Sequence, residues 1–273
     1  MRLGVIGYGT IVTLALQTLA RELTRPLPLI CVLAKAEGVE RAQAMLDSIG
    51  QSLALSAFVT ADLNAFLAQQ PHHVAEAAGH EALQVAGEKI LDAGIGLSIS
   101  SVGALADQAL RTALDQASQR SGAHYAPIAG AIGGLDILAA AKLSGLESVV
   151  YTGSKPPKAW KGTRAEKFAG LDELESELVF FDGSAGQAAR EYPQNANVAA
   201  TLALAGLGFE ATRVRLIADP TITRNVHEVA VCAACANFSF RIEGHAAPDN
   251  PKTSLTVAYS LASRLLQLVH KNN

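Results

Sequence analysis

Along the first half of the chain, short apolar runs alternate with stretches whose apolar residues recur at helical spacing. The runs at 3–7, 28–33, 57–60, 73–79, 97–103 and 123–129 predict strands. A helix running to about residue 23 and further helices over 62–69, 81–93 and 105–118 lie between them, with Asp62 placed as an N-cap. Strands separated by helical runs predict an α/β, doubly wound parallel sheet. The pattern changes near residues 126–136, where Gly130, Gly133 and Gly134 stand ahead of a helix over 135–143. Polar alternation then predicts strands at 147–153, 177–183 and 212–218, and a hairpin pair at 225–233 and 237–244. Helices are expected over 185–192, broken at Pro193, and over 195–204. Residues 154–160 read as a proline-rich loop holding the single tryptophan. This half predicts an α+β domain on an open, mostly antiparallel sheet with helices on one face. A closing amphipathic helix, 254–269, completes the pattern. The expected division is 1–129, with 253–273 packing back on it, and 130–252 as a catalytic, substrate-binding and oligomerisation domain.

Composition narrows the class. Hydrophobic residues make up 49% and charged residues 17%, ample for a large core. The net charge is −3 and no basic cluster is dense enough to track a phosphate backbone, so no nucleic-acid partner is expected. No apolar window is long enough for a membrane span. Arg2 leads at once into a strand, leaving no room for a signal peptide, and three cysteines cannot build a disulfide framework. The expectation is a cytoplasmic protein. An open second sheet needs covering, so a homo-oligomer through that surface is expected.

The first strand ends in Gly7-Tyr-Gly9-Thr10-Ile11-Val12 and opens a helix. Strand, G-x-G turn and helix form the context of a Rossmann-type dinucleotide fingerprint: the first glycine makes the tight turn, and the second lets a pyrophosphate approach. Val12 replaces the usual third glycine. In such sheets ligands bind past the carboxyl ends of the strands, which here include Gly7 to Thr10, Lys35, Ala78 and Ser101. A carboxylate at the end of the second strand would bind the ribose of NAD. Lys35 stands there instead, where a cation could accept a 2′-phosphate, so NAD and NADP both remain open.

Catalytic residue types concentrate after residue 190. Asn195 reads as a helix cap, and Asn197 as the better ligand candidate. His227, near a turn and beginning a strand, suits proton transfer near neutral pH. Its competing reading is a partly exposed strand histidine. His80 falls at the fourth strand's carboxyl end, where it could line a cofactor site. His73 falls at a strand start on the far edge. Cys232 and Cys235 read as lying on one strand facing opposite ways, so no shared disulfide or metal is expected. No metal-binding spacing is present.

Five separated motifs carry a resemblance: Gly130-Ala-Ile-Gly-Gly-Leu-Asp136, Tyr151-Thr-Gly-Ser-Lys-Pro-Pro157, Asn195-Ala-Asn-Val-Ala-Ala200, Thr223-Arg-Asn-Val-His-Glu228 and Asp249-Asn-Pro-Lys-Thr-Ser254. Nearly end to end, the chain resembles the L-aspartate dehydrogenase family. The resemblance implies NAD(P)-dependent oxidative deamination of L-aspartate to oxaloacetate and ammonia through iminoaspartate, which in some members feeds pyridine-nucleotide biosynthesis. It implies that His227 is the catalytic histidine and that Ala131 and Asn197 contact the nicotinamide side of the cofactor. The imidazole of His227 is then expected across a narrow gap from the turn at Ala131. Lys155, Lys161, Arg224 and the helix start after Gly134 are unranked candidates for the substrate carboxylates. The alternatives are a homoserine- or dipicolinate-type reductase on the same plan and a non-catalytic nucleotide-sensing module.

Overall fold

A computed structural model describes residues 1–168, 170–193, 196–247 and 250–271, with residues 250–253 described by their backbone alone. The chain divides into two compact units, Met1–Ile128 with Val257–Asn273, and Ala129–Thr256.

In the first unit the elements are β1 (Arg2–Ile6), α1 (Thr10–Glu22), β2 (Leu29–Leu33), α2 (Val39–Ile49), β3 (Ala57–Thr60), α3 (Leu63–Ala68), β4 (His73–Glu76), α4 (His80–Asp92), β5 (Gly96–Ile99), α5 (Gln108–Ser121) and β6 (Tyr125–Pro127). The strands form one sheet in the order β3-β2-β1-β4-β5-β6, with every pair parallel. Successive connections run outward from β1 to one side and from β4 to the other. The order therefore reverses between β1 and β4, the point at which such sheets open a crevice for ligands. Asp62 caps α3, accepting from the N–H groups of Asn64 at 2.7 Å and Ala65 at 3.0 Å. The helix α2 was not anticipated, although its buried residues Ala42, Met45 and Leu46 follow helical spacing. The fifth helix begins at Gln108 rather than 105, because Asp107 caps it and a 3₁₀ turn, Val102–Ala106, precedes it. One apolar core joins Leu3, Val5 and Val32 of the sheet to Val12, Leu16 and Leu19 of α1. Leu261, Ala262, Leu265 and Val269 of the carboxyl-terminal helix, Leu255–Lys271, enter the same core.

The second unit contains α6 (Leu135–Ser144), β7 (Leu146–Lys155), β8 (Leu178–Ser184), α7 (Ala185–Glu191), α8 (Asn197–Ala205), α9 (Gly208–Ala211), β9 (Arg213–Ala218), β10 (Asn225–Ala233) and β11 (Asn237–Gly244). Its sheet runs β11-β10-β7-β9-β8. Three of the four pairings are antiparallel and β7 with β9 is parallel. Alternation along β10 buries Val229 and Val231 on one face and exposes Glu228 and Ala230 on the other. The buried face is covered by helices. At the end of α8, a Cβ on Gly206 would lie 3.3 Å from Val149 of β7 and 3.6 Å from Leu138 of α6.

Two expectations are corrected here. The strand read as ending at residue 153 continues to Lys155, and the segment read as a loop becomes the 3₁₀ turn Pro157–Trp160. Trp160 is fully buried: its indole N–H donates to the Ile217 carbonyl at 3.0 Å, and Phe180 packs edge-on with ring centroids 4.7 Å apart. An apolar ring that size anchors the segment despite its prolines. Cys235 lies beyond the end of β10, in the hairpin turn and exposed, so the two cysteines do not share a strand. All three cysteines are free.

Candidate active site

Within the first unit the carboxyl ends of β1, β2 and β4 border a cavity of about 710 Å³. Two helices start at its wall, α1 after Gly9 and α4 after Gly79, and no side chain caps either one. The first N–H groups of a helix have no partner within it and carry the positive end of its dipole, so such a wall favours a phosphate. Gly7 has φ +111°, and a Cβ there would sit 2.9 Å from the Ala77 carbonyl oxygen, so the turn admits only glycine. A Cβ on Gly9 would meet nothing within 4 Å, leaving the backbone bare toward open space. These residues fit a dinucleotide: a bare turn and two helix starts for the pyrophosphate, and a mostly apolar wall including Leu33, Ala61 and Val85 for the rest.

Of the residues singled out from sequence, Gly7, Gly9, Lys35 and Ala78 line this cavity, as does His80. Thr10 and Ile11 open α1 and are not among the lining residues. The Lys35 ammonium lies 3.7 Å from the Glu81 carboxylate at the solvent-exposed rim. Ser101 is buried outside the lining, and its hydroxyl donates to Glu76 Oε1 at 2.7 Å. Glu76 was missed. Fully buried at the end of β4, its carboxylate also accepts from the backbone N–H groups of Ala78, Gly79 and Ser101 at 2.8 to 3.0 Å. One carboxylate thus ties the turn after β4 to the turn after β5. A glutamate closing a buried strand before a glycine turn was the available signal.

Within the second unit His227 lies on β10, directly opposite Gly153 of β7 and Ile242 of β11. Residues opposite one another or two apart on a strand share a face. Tyr151, Gly153 and Lys155 therefore stand in a row beside His227 on one face of the sheet. The imidazole is 5% exposed, and its Nδ1 lies 2.8 Å from the Tyr151 hydroxyl. Burial first, and the charge of Lys155 second, together pull the His227 pKa down to about 4. Burial pushes the Tyr151 phenol up, so it stays protonated near neutral pH. A Cβ on Gly153 would lie 2.5 Å from the Tyr151 hydroxyl, so that hydroxyl reaches His227 only because residue 153 has no side chain. Tyr151 had been quoted only within a motif. Reading Tyr-Thr-Gly-Ser-Lys with period two would have found all three.

The turn that holds Ala131 packs over the same face. A Cβ on Gly133 would lie 3.7 Å from Ile242, the residue opposite His227, and one on Gly134 would lie 2.6 Å from the ring of Phe240. Gly134 takes the left-handed conformation, φ +69°, and caps α6. Ala131 itself is buried. Asn197 is exposed at the first position of α8. Asn195, expected as a cap, and Asp249 lie outside the described residues. The structure separates the three candidate cations. Lys155 is 7% exposed on the His227 face, Lys161 pairs with Asp172 at 2.6 Å near the surface, and Arg224 is exposed. No metal-holding cluster of His, Cys, Asp or Glu is found among the described residues.

A parallel sheet with a phosphate-ready crevice at its switch point, and a second α+β unit bearing a buried histidine and lysine, define a nicotinamide-dependent oxidoreductase. The comparisons narrow that class. The family profile described as "Aspartate dehydrogenase, C-terminal" matches residues 136–268, and "Homoserine dehydrogenase, NAD binding domain" matches residues 4–126. L-aspartate dehydrogenase of Ralstonia nicotianae is 40% identical over 270 residues, 98% of this chain and 95% of that one. The L-aspartate dehydrogenase of a Polaromonas species is 49% identical over 196 residues, 72% and 73% of the two chains. A crystal structure of aspartate dehydrogenase from Thermotoga maritima superposes with a TM-score of 0.70 at 27% identity, covering 98% of this chain and 96% of that one. The chain belongs to the L-aspartate dehydrogenase family.

Proposed function

We propose that this chain catalyses the reversible, NAD(P)-dependent oxidative deamination of L-aspartate through iminoaspartate to oxaloacetate and ammonia. The observation that carries the reading is the buried His227–Tyr151 pair, on a face shared with a buried lysine, in a chain whose relatives bear this activity in their names. When bound, the nicotinamide coenzyme takes the hydride from the substrate's amine-bearing carbon. Within the first unit we assign its contacts to Gly7, Gly9, Thr10, Ile11, Lys35, Ala78 and Ser101.

The chain's own work is proton handling. Water must add to the imine carbon, and ammonia must leave. His227 is neutral near pH 7 because burial disfavours its charge. In the tautomer that donates Nδ1–H to the Tyr151 oxygen, Nε2 keeps its lone pair and takes a proton from the attacking water. The same nitrogen returns that proton to the departing amine. Tyr151 thereby fixes which nitrogen works.

The deciding assay is NADH and NADPH oxidation with oxaloacetate plus ammonium, run beside an aldehyde and a cyclic imine. Turnover of either of the latter in preference to oxaloacetate would support a homoserine- or dipicolinate-type reductase, and coenzyme binding with no turnover would support a sensing module. Lys35 after β2 could accept a 2′-phosphate but pairs with Glu81 at the rim, so both coenzymes are assayed. We further propose a cytoplasmic homo-oligomer that feeds pyridine-nucleotide synthesis. The exposed face of β10 and β11, with Glu228, Ala230, Ser239 and Arg241, is the surface offered for association, and sedimentation of the purified chain tests it. Among the described residues no helix is long and apolar enough to cross a membrane.

A further inference from the structure

We propose that Lys155 binds a carboxylate of the substrate and so selects a four-carbon dicarboxylic amino acid over monocarboxylic ones. The inference rests on the aspartate reading and deepens it. Three observations carry it. Lys155 closes β7 on the same face as Tyr151 and Gly153, and His227 stands opposite Gly153. Alternate residues of a strand are roughly 6.6 Å apart, so the backbone position of Lys155 lies one such step along β7 from the residue opposite His227. The lysine is also buried, 7% exposed, a position few lysines occupy. Its ammonium lies 5.1 Å from the centre of the Trp160 ring, whose face favours a cation but adds no negative charge.

The competing cations do not share this position. Lys161 is committed to Asp172 at 2.6 Å, and Arg224 is exposed. A buried ammonium beside a reacting centre discriminates sharply: a diacid supplies a second carboxylate to it, and a monoacid of the same length brings a methyl group instead. Histidine and coenzyme act at the amine-bearing carbon, which every amino acid has. Selectivity for the diacid must therefore come from a group such as this one.

The test is reductive amination by the full-length enzyme with oxaloacetate and with 2-oxobutyrate, its four-carbon monoacid counterpart. Lys155→Met keeps an unbranched side chain, shorter only by the ammonium, and removes the charge. The expected result is a KM for oxaloacetate raised about 10- to 100-fold relative to that for 2-oxobutyrate, with coenzyme KM little changed. The ratio of kcat/KM for the two acids then falls by the same factor. Lys155→Arg, which keeps the charge, should retain most of that ratio and guards against a folding defect in the neutral variant. On the wild-type enzyme, succinate should compete with oxaloacetate far more tightly than butyrate does. An unchanged ratio in Lys155→Met, equal losses on both acids in Lys155→Met and Lys155→Arg, or equal inhibition by succinate and butyrate overturns the role of Lys155. A wild-type enzyme that turns over neither oxaloacetate nor aspartate with either coenzyme refutes the underlying reading instead.

Discussion

Each unit of the chain holds a buried histidine, and the two share almost every local property. His73 is 7% exposed in β4 and His227 is 5% exposed in β10. Burial, with a smaller contribution from one cation in each case, Arg264 for His73 and Lys155 for His227, brings both to a pKa of about 4. Each makes one side-chain hydrogen bond of 2.8 Å, to Ser98 or to Tyr151. Yet His73 stands at the amino end of its strand, opposite the end that meets the cavity, and a Cβ on Gly96 would sit 2.6 Å from its ring. Its partner Ser98 lies within the same sheet, and Arg264 of the carboxyl-terminal helix reaches that serine at 3.4 Å. His227 instead faces a residue with no side chain, a buried lysine and a glycine turn. A depressed pKa reports burial in both; the neighbours separate a packing histidine from the one proposed to act on substrate.

The comparison can be broken most directly by turnover. His227→Ala should lower kcat by about 10²–10⁴-fold with coenzyme affinity nearly intact, while His73→Ala should leave kcat unchanged. Equal activity loss in both variants would end the distinction. Next in size is an effect the two should share. Each folded pKa lies below the ordinary 6.5, so below that pH the unfolded chain takes up a proton that the folded chain refuses until about pH 4. Stability is therefore complete above pH 6.5 and is lost as the pH falls toward 4, by roughly 3 kcal/mol for each histidine. Replacing either one should flatten urea-unfolding midpoints across that window by a similar amount. The smallest effects concern the partners. Tyr151→Phe keeps the ring and removes the hydroxyl, so kcat should drop about tenfold, the worth of one hydrogen bond, at unchanged coenzyme KM. Ser98→Ala should cost about 1 kcal/mol of stability and no turnover, read by parallel melts and assays.

Much of the fold was legible because both sheets advertise their period. The buried parallel strands read as short apolar runs, and the hairpin of β10 and β11 reads as alternation with its bounds visible. The crevice was legible in part: Gly7 and Gly9 announce themselves by spacing, whereas Glu76 offers only the weaker signal of a glutamate closing a buried strand before a glycine turn, and its bonds to backbone N–H groups show only in the fold. His227 stood out as a histidine entering a strand after a turn. Lys155 was among the candidates but did not stand apart from Lys161 and Arg224, because Pro156 and Pro157 read as a loop, whereas the segment carries the buried Trp160. The row Tyr151, Gly153 and Lys155 became a site only once β10 was laid alongside in register.

The missing side chain at residue 153 has an evolutionary consequence. The phenol of Tyr151 fills the volume that a side chain at residue 153 would need, so neither position is free to drift alone. Enlarging residue 153 should harm the enzyme while Tyr151 remains, and harm it less once residue 151 is already small. The double variant would then be less impaired than the sum of its parts, a signed coupling measurable in a mutant cycle.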